Sequence, residues 1–396
     1  MCSIPTGTKS FLDGNAAHFH TIPISIEWIR TLSLPSAMRY QLLGPSGLRV
    51  SELALGTMTF GDDWGWGASK SESRRIFDAF AEAGGTFVDT ANVYTNGTSE
   101  RLVGEFVAPE RDRFVVATKY AAATRPGDPN SGGNGRKALV QSVEGSLTRL
   151  GTDYIDLLWV HAWDGVTPVD EVVRALDDLV RAGKVLHIGI SDTPAWVVSE
   201  AITLARERGL TPFSAIQVEY SLVERTPERD LLPMAAAHGL SVLDWSPLGA
   251  GALTGKHLAA SRDVAGGRLA EVPLDFYDKY RTDRAQAIAR EVVGVATETE
   301  RSPAQVALAW VLHQPGRHIP ILGARSVAHF EDNLSCLDVR LSDLHMARLD
   351  AASQIELGFP HDLLAGDAMR QMVFGGTYDR TDAGGRTRPA GPEAGA

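Results

Sequence analysis

The 396-residue sequence is 44% hydrophobic and 22% charged, the balance of an ordinary soluble globular enzyme. Its formal net charge of −11, with no basic run and no interleaving of aromatic and basic residues, disfavours a nucleic-acid surface. Cys2 and Cys336 cannot build a disulfide framework and fit a reducing cytoplasm; no apolar stretch approaches the ~18 residues of a membrane span.

In chain order, residues 19–38 read as neither signal nor anchor, because Glu27 and Arg30 break the apolar run and no basic head precedes it. Residues 1–37 are expected to be a disordered extension, with a folded domain starting at "MRYQLLGPSGLRVSELALGTMTFG" (38–61). Short apolar or β-branched runs then recur at 53–57, 86–90, 114–119, 155–161, 185–191, 215–220, 241–246 and 318–324. Most are continuous rather than alternating, as expected of parallel strands covered on both faces.

The segments between these runs carry helix signals. Ser69 and Glu72 can form a capping box, and Gly84–Gly85 can close that helix. Thr167–Pro168, Thr193–Pro194, Thr226–Pro227 and Ser302–Pro303 each set a hydroxyl cap before a proline at the first helical position. Leu139, Val140, Val143, Leu147 and Leu150 mark one helix face, stopped by Gly151. Eight βα units in order predict a single-domain α/β fold, a closed (β/α)8 TIM barrel over residues 38–375, with an open doubly wound sheet as the alternative. The Gly/Pro/polar segment 376–396 is expected to be a disordered tail.

Polar residues punctuate the strand ends. Asp89, Lys119, His161, Ser191 and Trp245 fall at or near the ends of the second, third, fourth, fifth and seventh runs, on the face where a barrel builds its active site. A phenol gives up its proton poorly near neutral pH unless a neighbour stabilises the phenolate. Lys119 can do that for Tyr94, Asp89 can hold the lysine charged, and His161 can hydrogen-bond a carbonyl oxygen. The set suits protonation of a carbonyl oxygen while hydride reaches carbon. Each residue also has a plainer reading: Asp89–Thr90 as a turn or cap, Lys119 as a solvated charge, His161 as a structural histidine.

These stretches resemble the aldo-keto reductases over roughly residues 38–365, most specifically at "FVDTANVY" (87–94), "SERLVG" (99–104), "VVATK" (115–119), "DLLWVH" (156–161) and "PLGAGALTGK" (247–256). The resemblance implies Tyr94 as general acid, tuned by Asp89 and Lys119, with His161 orienting the carbonyl. "GISDTPAW" (189–196) and "GFPHDLL" (358–364) look like a bacterial branch related to aryl-alcohol dehydrogenases and potassium-channel β subunits.

No G-x-G-x-x-G follows the first run, and "GAGALTGK" (249–256) fails both that spacing and the P-loop pattern, since Ala250 takes the leading glycine's place and His257 follows Lys256. A barrel can instead seat phosphate at a helix N-terminus after its last strands. "GARSVAHFEDN" (323–333) sets Gly323, Arg325, Ser326 and His329 there; the plainer reading is that Arg325 and Ser326 only cap and charge the helix. The resemblance implies that this motif grips an adenosine 2′-phosphate, making NADP(H) the cofactor, with Asp332 and Asn333 at the adenine. It likewise implies Ser191 and Gln217 at the nicotinamide carboxamide, Trp245 stacked on the ring, and Ser246, Leu248 and Lys256 along the pyrophosphate. Two positions depart from the pattern: Asp192 replaces the usual asparagine, and His329 stands where glutamine or arginine is commoner.

Trp64 and Trp66, after the first run, and Trp163, after the fourth, offer an aromatic wall for an apolar or aromatic carbonyl, or simply structural packing. The insert 257–282 can fold over the cofactor and 355–375 can border the pocket. The eleven histidines show no metal-ligand spacing. The expected function is NADPH-dependent reduction of a small aldehyde or ketone; the rivals are a Schiff-base lyase using Lys119 and a cofactor-binding regulatory subunit with little turnover.

Overall fold

The computed structural model describes residues 38–258 and 275–382; the expectation for residues 1–37 and the middle of the 257–282 insert lie outside the described residues. An antiparallel hairpin, β1 (Tyr40–Leu42) and β2 (Arg49–Ser51), comes first. Eight strands follow: β3 (Ala54–Gly56), β4 (Phe87–Asp89), β5 (Val115–Tyr120), β6 (Ile155–Val160), β7 (Val185–Ser191), β8 (Ala215–Glu219), β9 (Ser241–Trp245) and β10 (His318–Leu322). They pair in parallel in sequence order, and β10 returns to β3, so the sheet is a closed barrel and not an open doubly wound sheet. Each of the eight apolar runs has become one strand.

Helices α1 (Lys70–Glu82), α2 (Thr98–Val107), α3 (Arg136–Leu150), α4 (Val169–Arg181), α5 (Ala195–Arg208) and α6 (Leu231–His238) cover the first six strands. Beyond β9 lie α7 (Asp283–Thr299) and α8 (Pro303–Leu312), and beyond β10 lie α9 (Val327–Leu334) and α10 (Asp343–Ser353). Two short helices, α11 (His361–Ala365) and α12 (Asp367–Phe374), end the described chain with a 3-10 turn at Tyr378–Arg380. That turn lies inside the segment expected to be a disordered tail, of which residues 383–396 lie outside the described residues.

Strand geometry sorts the side chains into two layers. Val88, Val116, Leu158, Ile188, Ile216 and Val242 pack outward among the helices, whereas Phe87, Ala117, Leu157, Trp159, Ala215 and Leu243 pack inside the barrel. Because side chains alternate faces, the inward set continues two residues further along each strand as Asp89, Lys119, His161, Gln217 and Trp245. The barrel interior is therefore apolar below and polar at the C-terminal mouth. Trp159 fits there because its partner across the ladder is Gly189, where a Cβ would lie 2.3 Å from the indole ring.

The hairpin closes the opposite end. Leu43 and Val50 are buried against the inner cluster, and Ser51 Oγ accepts the Thr86 and Phe87 N–H groups at 3.1 and 3.2 Å. Gly44 sits at φ +56° with Ser214 O so near that a Cβ would approach it to 1.9 Å.

Several local signals resolve differently from the sequence reading. Ser302 alone of the four hydroxyl–proline pairs makes a capping box, with Gln305. Pro168 and Pro194 are themselves the N-caps of α4 and α5, and Thr226 is the first residue of a 3-10 turn capped by Arg225, so none of these threonines stands at a cap position; their hydroxyls donate instead to Asp164, the Ser191 carbonyl and Glu224. Ser69 accepts from the Glu72 N–H, but the Glu72 carboxylate pairs with Arg75 and accepts from Val327 N–H, so that box is half formed. Val140 is 37% exposed and lies off the buried face of α3.

Candidate active site

A cavity of about 800 Å³ opens at the C-terminal mouth, within the range of small-molecule sites. Asp89, Tyr94, His161, Ser191, Gln217 and Trp245 line it from the barrel side, and Lys256, Gly323, Arg325, His329, Asp332 and Asn333 from the last βα loops and α9. Ser246, Leu248, Trp64 and Trp66 complete the wall, the two indoles 5.6 Å apart. Lys119 lies beneath the surface and Ser326 serves as N-cap of α9, accepting from His329 N–H at 3.4 Å. Trp163 does not border the cavity: it packs against the core, and its N–H donates to Asp192 O at 3.4 Å. No residue of 355–375 borders it either.

At the centre Lys119, fully buried, donates to Asp89 Oδ2 and, at 2.8 Å, to the Thr90 carbonyl. Its ammonium lies 4.8 Å from the centre of the Tyr94 ring and hydrogen-bonds that residue. Burial pushes the Lys119 pKa down, but Asp89 and then Tyr94 push it up further, so the net direction is upward and the ammonium persists. A Schiff base needs a neutral, reachable amine; Lys119 is neither.

His161 stands edge-on to Tyr94, ring centres 5.9 Å apart. Burial, then the Lys119 charge, lower its pKa to about 3, leaving a neutral imidazole whose Nδ1 has no partner among the described residues. The sequence did not reveal a further link: Gln217 Nε2 donates to Asp89 Oδ1 at 3.0 Å, so both carboxylate oxygens of Asp89 are held. Thr57 Oγ1 also donates to the Asp89 carbonyl at 3.0 Å.

Backbone strain concentrates at this mouth. Of the seven non-glycine residues with positive φ among the described residues, six (Thr95, Asn96, Ala121, Asp192, Ser246 and Ala250) follow β4, β5, β7 or β9; the seventh, Glu300, caps a helix. Asp192 accepts from Trp245 Nε1 at 3.1 Å. The side chain stays open to solvent in the cavity, where partial desolvation, and then Glu219, raise its pKa to about 6 against the opposing Trp245 bond.

The residues fit a nicotinamide dinucleotide. Ser191 Oγ is buried with no partner among the described residues, Gln217 keeps its carbonyl oxygen for a ligand, and Lys256 and Arg325 bring positive charge to the same cavity. Asp332, which the resemblance puts at the adenine, is already engaged, accepting from Ser302 Oγ and Gln305 Nε2 at 2.8 Å each, which binds α9 to the start of α8. Ser302, Pro303 and Ala304 also line the cavity, a contribution the sequence signalled only as a helix cap. From the insert, Lys279 reaches Glu219 at 2.5 Å and Glu224 at 3.1 Å. Among the described residues, no cluster of three metal-ligating side chains occurs and no helix is long and apolar enough to cross a membrane.

Known proteins resemble this chain in sequence. The pattern of the aldo/keto reductase family matches residues 52–354. The chain is 37% identical over 370 residues to an aryl-alcohol dehydrogenase [NADP(+)] of Phanerodontia chrysosporium, covering 89% of this chain and 96% of the relative. It is 38% identical over 342 residues to the norsolorinic acid reductase of Aspergillus flavus (83% and 85% covered) and 39% over 360 residues to norsolorinic acid reductase B of Aspergillus parasiticus (87% and 92% covered). These relatives are fungal and lend no support to the bacterial character expected of the branch, while the aryl-alcohol dehydrogenase likeness stands. By the match over residues 52–354 and by these identities, the chain belongs to the aldo/keto reductase family.

Proposed function

We propose that the protein reduces an aldehyde or ketone to an alcohol with NADPH, and that Tyr94 delivers the proton to the carbonyl oxygen. The observation that carries this reading is the buried Asp89–Lys119 pair in contact with Tyr94 at a cavity wall. A bound nicotinamide cofactor would supply the hydride. As Tyr94 gives up its proton, the Lys119 ammonium offsets the charge left on the phenolate, and Asp89, fixed by Gln217, keeps that ammonium in place. His161, neutral, can hydrogen-bond the same oxygen without adding a charge that would compete with Lys119.

NADPH rather than NADH is favoured by Arg325 and Lys256 in the cavity wall and by the NADP(+) in one relative's name. Trp64 and Trp66 favour an apolar or aromatic carbonyl, in keeping with a relative named for aryl alcohols.

The test is NADPH consumption across a panel of aryl and alkyl aldehydes and ketones. Tyr94→Phe should lower kcat by about 10²–10⁴, the usual contribution of a general acid, while NADPH binding is retained. Turnover surviving in Tyr94→Phe would remove Tyr94 from the mechanism. Tight NADPH binding by the unaltered protein with no turnover on any carbonyl would favour a regulatory subunit instead.

A further inference from the structure

The turn that carries Tyr94 has an uncommon backbone. Thr95 at φ +45°, Asn96 at +54° and Gly97 at +85° stand in the left-handed region one after another, between Tyr94 and the first residue of α2. Glycine and asparagine tolerate that region, but a β-branched threonine there is an outlier. Such strain persists only where the surroundings over-determine it. Thr95 is fully buried, and its hydroxyl is held by two separate elements.

Thr95 Oγ1 donates to the Phe60 carbonyl at 2.7 Å and accepts from the Ser99 N–H at 3.0 Å. The second bond supplies a missing cap, because Gly97, at the N-cap of α2, has no side chain to satisfy that N–H. Ser99 is itself fixed: its Oγ lies 2.8 Å from the Thr57 carbonyl and 2.8 Å from Thr90 Oγ1. The Thr90 carbonyl in turn accepts from Lys119. The bond to Phe60 reaches the loop after β3. There Gly61 N–H donates to Ala68 O at 2.9 Å and Ala68 N–H to Thr59 O at 2.7 Å, closing a loop whose Trp64 and Trp66 reach the cavity. Thr95 lies so close to the base of this loop that a Cβ on Gly61 would come within 3.2 Å of its Oγ1.

Glycine or asparagine at this position would relieve the backbone, yet neither carries the hydroxyl that makes both bonds. We propose that Thr95 is a positioning residue: by tying the base of the Trp64–Trp66 loop to the N-terminus of α2, its hydroxyl holds Tyr94 at one distance from a carbonyl packed against the two indoles. Thr95 does not border the cavity, and it acts through the peptide it shares with Tyr94. Proton delivery is steep in distance, and a displacement of about 1 Å can cost ~10²-fold in rate.

The inference rests on Tyr94 being the general acid, and its test separates the two. Benzaldehyde and the fastest carbonyl of the panel above are assayed with NADPH for the unaltered protein, Thr95→Val, Thr95→Ser and Thr95→Gly, with the folding of each checked by urea unfolding. Thr95→Val keeps the branched shape and loses both bonds. Its kcat should fall by about 10- to 100-fold, while carbonyl KM and the NADPH dissociation constant, read by fluorescence titration, change far less. Thr95→Ser keeps the hydroxyl and should keep kcat close to that of the unaltered protein. Thr95→Gly loses the hydroxyl but relieves the backbone, so it should stay folded and show the same fall in kcat. That variant carries the test if Thr95→Val does not fold.

Full kcat in Thr95→Val or Thr95→Gly, a Thr95→Ser protein as slow as Thr95→Val, or NADPH affinity that falls in step with kcat would overturn the positioning role. Loss of folding in both Thr95→Val and Thr95→Gly would do so too, by making the residue structural. The reductase reading survives each of these outcomes as long as Tyr94→Phe is inactive. Turnover that persists in Tyr94→Phe, or no turnover of any carbonyl by the unaltered protein, would remove both.

Discussion

The two ends of the barrel are built from the same eight strands and obey opposite rules. At the hairpin end, Leu43 and Val50 plug an apolar interior, and hydroxyls such as Ser51 and Ser241 satisfy the backbone N–H groups around them. At the mouth, three positive-φ residues (Asp192, Ser246 and Ala250), a buried ion pair and two polar atoms with no partner among the described residues, on His161 and Ser191, gather around one cavity. The contrast teaches that stability and chemistry are separated along the strand axis, over a distance of only a few residues. One end closes the fold; the other stores strain and charge where a ligand can use them.

The comparison can be tested by breaking each end in turn. The largest effect is expected from Lys119→Met, which leaves Asp89 buried without its cation. It should cost about 3–5 kcal/mol in stability and abolish turnover together, read from urea unfolding and NADPH consumption. A folded variant with full turnover would separate Lys119 from Tyr94 chemistry. Gly44→Ala, at the closed end, should cost about 3 kcal/mol, because a Cβ meets backbone Ser214 O and the φ of +56° disfavours it. Its kcat and KM, measured below the unfolding range, should stay unchanged; a drop in kcat would deny the division between the ends.

The smallest effect concerns His161. Its folded pKa of about 3 lies below its ordinary 6.5, so the unfolded chain binds the proton first. The contribution is complete above about 6.5 and is lost as pH falls toward about 3, with a slope near 1.4 kcal/mol per unit at most. Between pH ~6.5 and ~5 the unaltered protein should lose on the order of 1–2 kcal/mol more than His161→Gln in urea unfolding. Identical acid sensitivity would mean that the imidazole is not held neutral.

Much of this was legible in the sequence. Eight apolar runs at regular spacing announced eight strands, because a parallel strand covered on both faces cannot hide its composition. The acid at the end of "TFVD" and the lysine at the end of "VVATK" stood out for the same reason: a charge ending an apolar run needs a partner. The hairpin at 40–51 was not seen, since two three-residue strands carry too little periodicity to register. Trp163 went to the core and not to the pocket wall, because composition cannot say which way a loop indole turns. The hydroxyls before Pro168, Pro194 and Pro227 do not cap, because the helices start one residue away from where the Thr-Pro pairs suggested.

By itself the sequence determined the number and order of strands and the types of group at their ends, because burial on two faces and alternation along a strand are written in local composition. Only the tertiary structure decided the pairings. Asp89 meets Lys119, 30 positions away, and Gln217, 128 positions away, because barrel closure and register bring the inward residues of separate strands to one level. The upward shift of the Asp192 carboxyl comes from desolvation in the cavity and from Glu219, set against Trp245, Lys119 and Lys279, groups that different elements bring together, and so belongs to the fold rather than to the chain.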